Sequence, residues 1–166
     1  MTNVSKNKIS VFFRTLMKMF HLNLKTSFYA VTAILVAAPV AFLAFLAMNA
    51  SASSIGILDV LEKSPSVAVM AIISGLDIIT GYSLWVSREK LFDNRQLFRG
   101  LMMAVAVQQV LVGNLIVAGL AVVAFLFGKG LPAKKATTNI IAAVPTVILS
   151  LMYVGCLMLN LAVSGK

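Results

Sequence analysis

Sulfur, imidazole and negative charge are all scarce in this chain. Its 166 residues include one Cys and one His, and Asp and Glu together number five. A single Cys excludes a disulfide framework within the chain and any Cys-based zinc site. Catalysis needs paired acids and bases, a metal cluster or a nucleophile with a base beside it. Here Asp59, Glu62, Glu89 and Asp93 have no metal-ligand His among them, the sole His21 sits in a basic segment, and Cys156 lies in an apolar run. No enzyme activity, metal or cofactor is expected. Charged residues make up only 11% of the chain, against about a quarter in soluble domains, which excludes a water-soluble fold. The 60% hydrophobic content excludes intrinsic disorder, because disordered chains are poor in apolar residues.

The abundant feature is uninterrupted apolar sequence, with a mean hydropathy of +0.98. Four runs reach the roughly 20 residues that a helix needs to cross a bilayer: 28–48, 66–86, 101–127 and 140–163. The third is long enough to tilt. Helices are expected because lipid cannot satisfy the backbone of an open strand, and a barrel would show short alternating segments. The expected fold is therefore all-α and polytopic: four transmembrane helices over residues 28–166, preceded by a basic amphipathic interfacial helix within residues 1–27.

The basic excess, 14 Lys and Arg giving a net charge of +9, supplies an orientation, since Lys and Arg near span ends are retained in the cytoplasm. With four spans, ten basic residues fall on one side. Lys63, Lys129, Lys134 and Lys135 fall on the other. Both termini are expected in the cytoplasm of a bacterial inner membrane. Lys129, Lys134 and Lys135 break the rule and leave open a re-entrant arrangement or two topologies of the last two runs. Nucleic-acid binding is not expected, because the cations stand where topology places them.

Residues 9–25 have a helical pattern with two faces. Ile9, Phe12, Phe13, Leu16, Met17, Phe20 and Leu24 share one, and Arg14, Lys18, His21 and Lys25 share the other. A basic amphipathic helix of this kind lies on anionic headgroups, each cation contributing about 1 kcal/mol. A competing reading makes residues 1–52 a secretory leader ending at Ala50-Ser51-Ala52, although its apolar run exceeds the usual length of such signals. A short interfacial helix is expected in 55–63, ended by Ser64-Pro65. The basic 87–100 connection, with Leu91, Phe92, Leu97 and Phe98, is read as a surface segment.

Inside the spans, Asp77 is the sharpest feature. A charged carboxylate at a helix centre costs about 2.5–3.5 kcal/mol on insertion scales, so it needs protein, water or a proton. Ser74, Thr80 and Gly81 share its face. Counted from the inner span ends, Gln108 and Gln109 lie at nearly its depth, roughly 10–14 Å in, so a hydrogen bond from a Gln amide to Asp77 is expected. Thr146, Ser150, Tyr153 and Asn160 form a polar stripe on the last run, and Asn114 sits within the third. Pro39 and Pro145 remove backbone hydrogen bonds, and Cys156 reads as a packing residue. Asp77 reads first as glue within the bundle or towards a partner helix, then as a proton or ion relay, then as a pore-lining residue.

A long basic Phe-rich leader, an apolar run ending near Ala50-Ser51-Ala52, and two spans joined by a short basic hairpin make a layout that resembles the pilin-like and small inner-membrane components of bacterial type IV secretion systems. The resemblance covers residues 1–127 in layout, and the last run departs from the two-span pilin pattern. It implies an accessory or structural subunit of a secretion or conjugation machine, with other membrane subunits or further copies of itself as partners beside the anionic bilayer. A bacteriocin-immunity or entry-exclusion protein and a holin or small channel are the alternatives.

Overall fold

The computed structural model of the chain describes residues 23–133 and 140–164. Arg14, Lys18 and His21, and with them most of the expected amphipathic helix, lie outside the described residues, as do Lys134, Lys135 and Lys166. Among the described residues every regular element is helical: α1 (Leu24–Ala52), α2 (Ile57–Lys63), α3 (Pro65–Phe92), α4 (Arg95–Leu111), α5 (Leu115–Phe127), a 3-10 turn (Gly128–Gly130) and α6 (Ile140–Ser164). Among the described residues three segments, Leu24–Ala52, Pro65–Phe92 and Pro145–Val163, are long and apolar enough to cross a membrane.

Local chemistry explains most boundaries. Asn23 caps α1, its side chain accepting from the Thr26 N–H at 2.8 Å, so Lys25 stands in the first turn of a long helix. The Gly56 N–H donates to Asp59 at the start of α2, and Pro65 opens α3 at a position where its missing N–H costs nothing. The 87–100 connection consists of two helix ends joined by a short turn. Helix α3 runs on to Phe92, and Asn94 caps α4 by accepting from the N–H groups of Gln96 and Leu97.

The third apolar run differs most from expectation. It is two helices rather than one span, broken at Val112-Gly113-Asn114. Gly113 takes φ +79°, a backbone region that glycine enters without penalty. The Asn114 side chain then caps α5 by accepting from the Val117 N–H. The two helices fold back on each other, bringing the Arg95 N–H to the Pro132 carbonyl at 3.2 Å. Gly128 makes the closure possible, since a Cβ there would sit 2.8 Å from the Phe98 ring.

This hairpin corrects the expected arrangement of charge. Lys129 lies beside Arg95, whose guanidinium donates to its carbonyl. Of the seven described Lys and Arg, six (Lys25, Arg88, Lys90, Arg95, Arg99 and Lys129) therefore occupy one end of the bundle, with Lys63 at the other. Helix α6 runs antiparallel to α3, so Leu24 and Ser164 lie at opposite ends, because a hairpin in place of a span reverses the sense of everything after it.

The main core joins Phe28, Val31 and Leu35 of α1 to Leu84 and Leu91 of α3, Phe98, Met102 and Val105 of α4, and Val117, Ala121 and Ala124 of α5. Lipid is as apolar as these side chains, so close packing rather than water exclusion holds such helices together. Gly81 shows how close: a Cβ there would meet Val36 at 2.8 Å and the Leu35 Cβ at 3.1 Å. At the basic end Phe28, Tyr29, Trp85, Phe92 and Phe98 pack in edge, tilted and stacked contacts, where an interfacial aromatic belt is favoured.

Candidate functional site

A polar cluster in the middle of the bundle joins three helices whose other contacts are apolar. Asp77 of α3 is 6% exposed. Its Oδ1 accepts from the Tyr153 hydroxyl of α6 at 2.6 Å and from Gln109 Nε2 of α4 at 2.7 Å. These lengths are in the range of charge-assisted hydrogen bonds. The Thr80 hydroxyl, one turn along α3, lies 3.3 Å from the Tyr153 oxygen. Gln108 turns to the other side of α4, where its Nε2 donates to Ser150 Oγ at 2.8 Å, and that hydroxyl donates to the Thr146 carbonyl.

Helix geometry sets this division. Neighbouring residues on a helix point about 100° apart, so Gln108 and Gln109 both reach inward yet meet different partners. Tyr153 and Ser150 are three apart on α6 and present one face to them. Around the Asp77–Tyr153 contact, Leu76, Leu149, Tyr153 and Cys156 form an apolar cluster with Ile73 and Val112 packed against it.

The structure brings together some of the residues singled out in the sequence and not others. Asp77, Gln108 and Gln109 share the cluster with Thr146, Ser150 and Tyr153. Asn114 is the cap of α5. Asn160 continues the α6 stripe in sequence but is exposed, three residues from the end of the span. Lys25 is exposed at the start of α1. Cys156 is a buried free thiol in the apolar cluster. Among the described residues no three His, Cys, Asp or Glu side chains gather as a metal site.

Compared with family models, with curated proteins and with solved structures, the chain matches none. The arrangement therefore has to be read from its own chemistry. A carboxylate supplied with two donors by its own chain is suited to clamping helices, and three helices meet at that one oxygen.

One feature that sequence reasoning missed is the hairpin tip. Gly113-Asn114 inside an apolar run was a legible signal, since Gly ends helices and Asn starts them. The excess length of the run was read as tilt. Gly113, Leu115 and Ile116 are exposed at this tip, the last two at 69% and 72%. Val112 packs at the level of Ile73 and Leu76, which lie about 12–17 Å below Pro65 along α3. At this non-helical turn Val112 and Asn114 are half-buried, Val112 against the cluster of α3 and α6, while Gly113 and the two residues that open α5 are exposed.

Proposed function

We propose that this is a non-enzymatic integral protein of a bacterial inner membrane, with its basic end in the cytoplasm, that works as a subunit of a larger membrane assembly such as a secretion or conjugation apparatus. The orientation follows from retention of Lys and Arg on the cytoplasmic side, and it makes α4 and α5 a re-entrant hairpin.

The exposed tip at Gly113, Leu115 and Ile116 carries the assembly reading. Irregular backbone within the hydrocarbon layer is tolerated where protein buries it or water lines it, and not against lipid. A partner subunit, or another copy of this chain, supplies that cover. The layout that resembles type IV secretion components supports the choice of machine. Asp77 is the clamp of the bundle in this reading, because both of its donors come from within the chain. With both donors on one oxygen, Asp77 ties α3 to α4 and α6, which favours the clamp over a holin or channel.

A photo-crosslinking amino acid at Leu115, in native membranes, tests the proposal. The expected product is an adduct with a second membrane protein or with another copy of the chain. Adducts with lipid alone would contradict it.

A further inference from the structure

Helix α3 carries a polar stripe that runs from the buried acid to the basic end. Asp77, Thr80, Ser83, Ser87 and Lys90 follow one another at spacings of three, three, four and three, which places them on one face. The last four border a cleft of about 380 Å³ that also reaches Gln108 of α4 and Thr146 of α6. Leu84, Leu101 and Leu149 supply apolar wall, and Lys90 is the one charged residue among the described lining.

Gln108 marks the inner end of this cleft. It is 2% exposed, and although its Nε2 is bonded to Ser150, its Oε1 has no donor. An acceptor left in that condition costs about 1–3 kcal/mol. A water molecule removes the penalty where the space is polar and holds at least one probe sphere. The cleft has the room, and although most of its wall is apolar, the α3 stripe with Gln108 and Thr146 supplies the polar partners. Hydroxyls or an ammonium follow at each turn from Thr80 to Lys90, so a chain of waters has partners along its whole length.

Beyond Gln108 the path is made of protein. The Thr80 hydroxyl is 3.3 Å from the Tyr153 oxygen, and the Tyr153 hydroxyl donates to Asp77 at 2.6 Å. The opposite side of Asp77 is closed by Ile73, Leu76, Val112 and Cys156. The groups on the facing helices are Gln109 of α4 and Tyr153 and Cys156 of α6.

We propose that this cleft is a water-filled vestibule at the basic end, through which Asp77 exchanges its proton with that side of the membrane. This goes beyond the subunit reading and does not rest on it. A water at the inner end gives a proton to the Thr80 oxygen while the Thr80 proton passes to Tyr153. The Tyr153 proton passes to the Asp77 carboxylate. Each hydroxyl loses one proton and gains one, so the net change is a neutral carboxyl and a water one proton poorer. The reverse sequence returns it.

Thiol accessibility tests the vestibule, because methanethiosulfonates react with the thiolate and so with water-exposed cysteine. In a Cys156→Ala background, Ser83→Cys and Ser87→Cys are exposed in sealed vesicles to a charged, membrane-impermeant methanethiosulfonate added to one face. Arg88→Cys and Lys63→Cys mark the two faces. Both serine positions are expected to react from the Arg88 face at least tenfold faster than from the Lys63 face, and Gln108→Leu is expected to slow Ser83→Cys about tenfold. Reaction at Ser87→Cys with none at Ser83→Cys, or equal reaction from both faces, would overturn the vestibule. Infrared spectroscopy of the Asp77 carboxyl, assigned by Asp77→Asn, reads the proton directly. Its band is expected to follow the pH on the Arg88 face; a band indifferent to that face would overturn the exchange.

Discussion

Arg95 and Lys129 are 34 residues apart in the chain, yet the Arg95 guanidinium donates to the Lys129 carbonyl at 3.3 Å. That contact closes the α4–α5 hairpin at the basic end and moves Lys129 from the exception to the rule. It depends on three small features: the left-handed Gly113, the Asn114 cap, and the missing Cβ of Gly128 under Phe98. A run without them would continue as one helix.

Replacing Asn114 with Ala removes the cap of α5 and is expected to cost about 0.5–2 kcal/mol. Gly113→Ala adds strain at φ +79°, whereas Gly113→Asn, which tolerates that region, is expected to cost less than Gly113→Ala. Thermal unfolding in mild detergent ranks the three. Equal stability of Gly113→Ala and the parent would remove the turn from the account.

The Asp77 clamp predicts coupling between residues on different helices. Tyr153→Phe and Gln109→Leu are each expected to destabilise the bundle, and a double-mutant cycle of Tyr153→Phe with Asp77→Asn should give about 0.6–1.7 kcal/mol of interaction energy, the range found for hydrogen bonds inside membranes. A coupling of zero would mean that the 2.6 Å contact does not hold α3 to α6.

Two glycines on α3 separate packing from backbone effects. A Cβ at Gly81 would press on Val36 and Leu35, whereas one at Gly75 meets nothing within 4 Å. Gly81→Val is expected to lose about 1–3 kcal/mol by overpacking, and Gly75→Ala to gain a few tenths or more, as Gly-to-Ala exchanges at compatible helix positions do. Denaturant titration of the two variants checks the contrast.

Sidedness gives a further expectation. A reporter fused after Lys129 should be active on the same side as one fused after Arg88, and a reporter after Ser164 on the opposite side. Four spanning helices would put the Lys129 reporter on the other face.

Much of this was legible because a bilayer constrains a chain so strongly. The spans of α1, α3 and α6 follow from run length, and the short α2 from the mixture in 55–63 followed by Ser64-Pro65. Depth counting also placed a Gln amide level with Asp77. It did not choose between Gln108 and Gln109, because that choice depends on the rotation of α4 against α3 and α6, which only packing decides. The hairpin was harder for a related reason. Averaged over so apolar a run, hydropathy barely registers one Gly and one Asn, so two packed half-helices and one tilted span read the same. The charge pattern held the information instead, as the lysines that a four-span count could not absorb.

Distance between spin labels on Gln96→Cys and Lys129→Cys, in the Cys156→Ala background, tests the hairpin most directly. The folded-back arrangement predicts a mean separation below about 25 Å, given the contact of Arg95 with Lys129 and the length of two label arms. One continuous helix would separate the positions by about 50 Å, and a distance near that value would contradict the account.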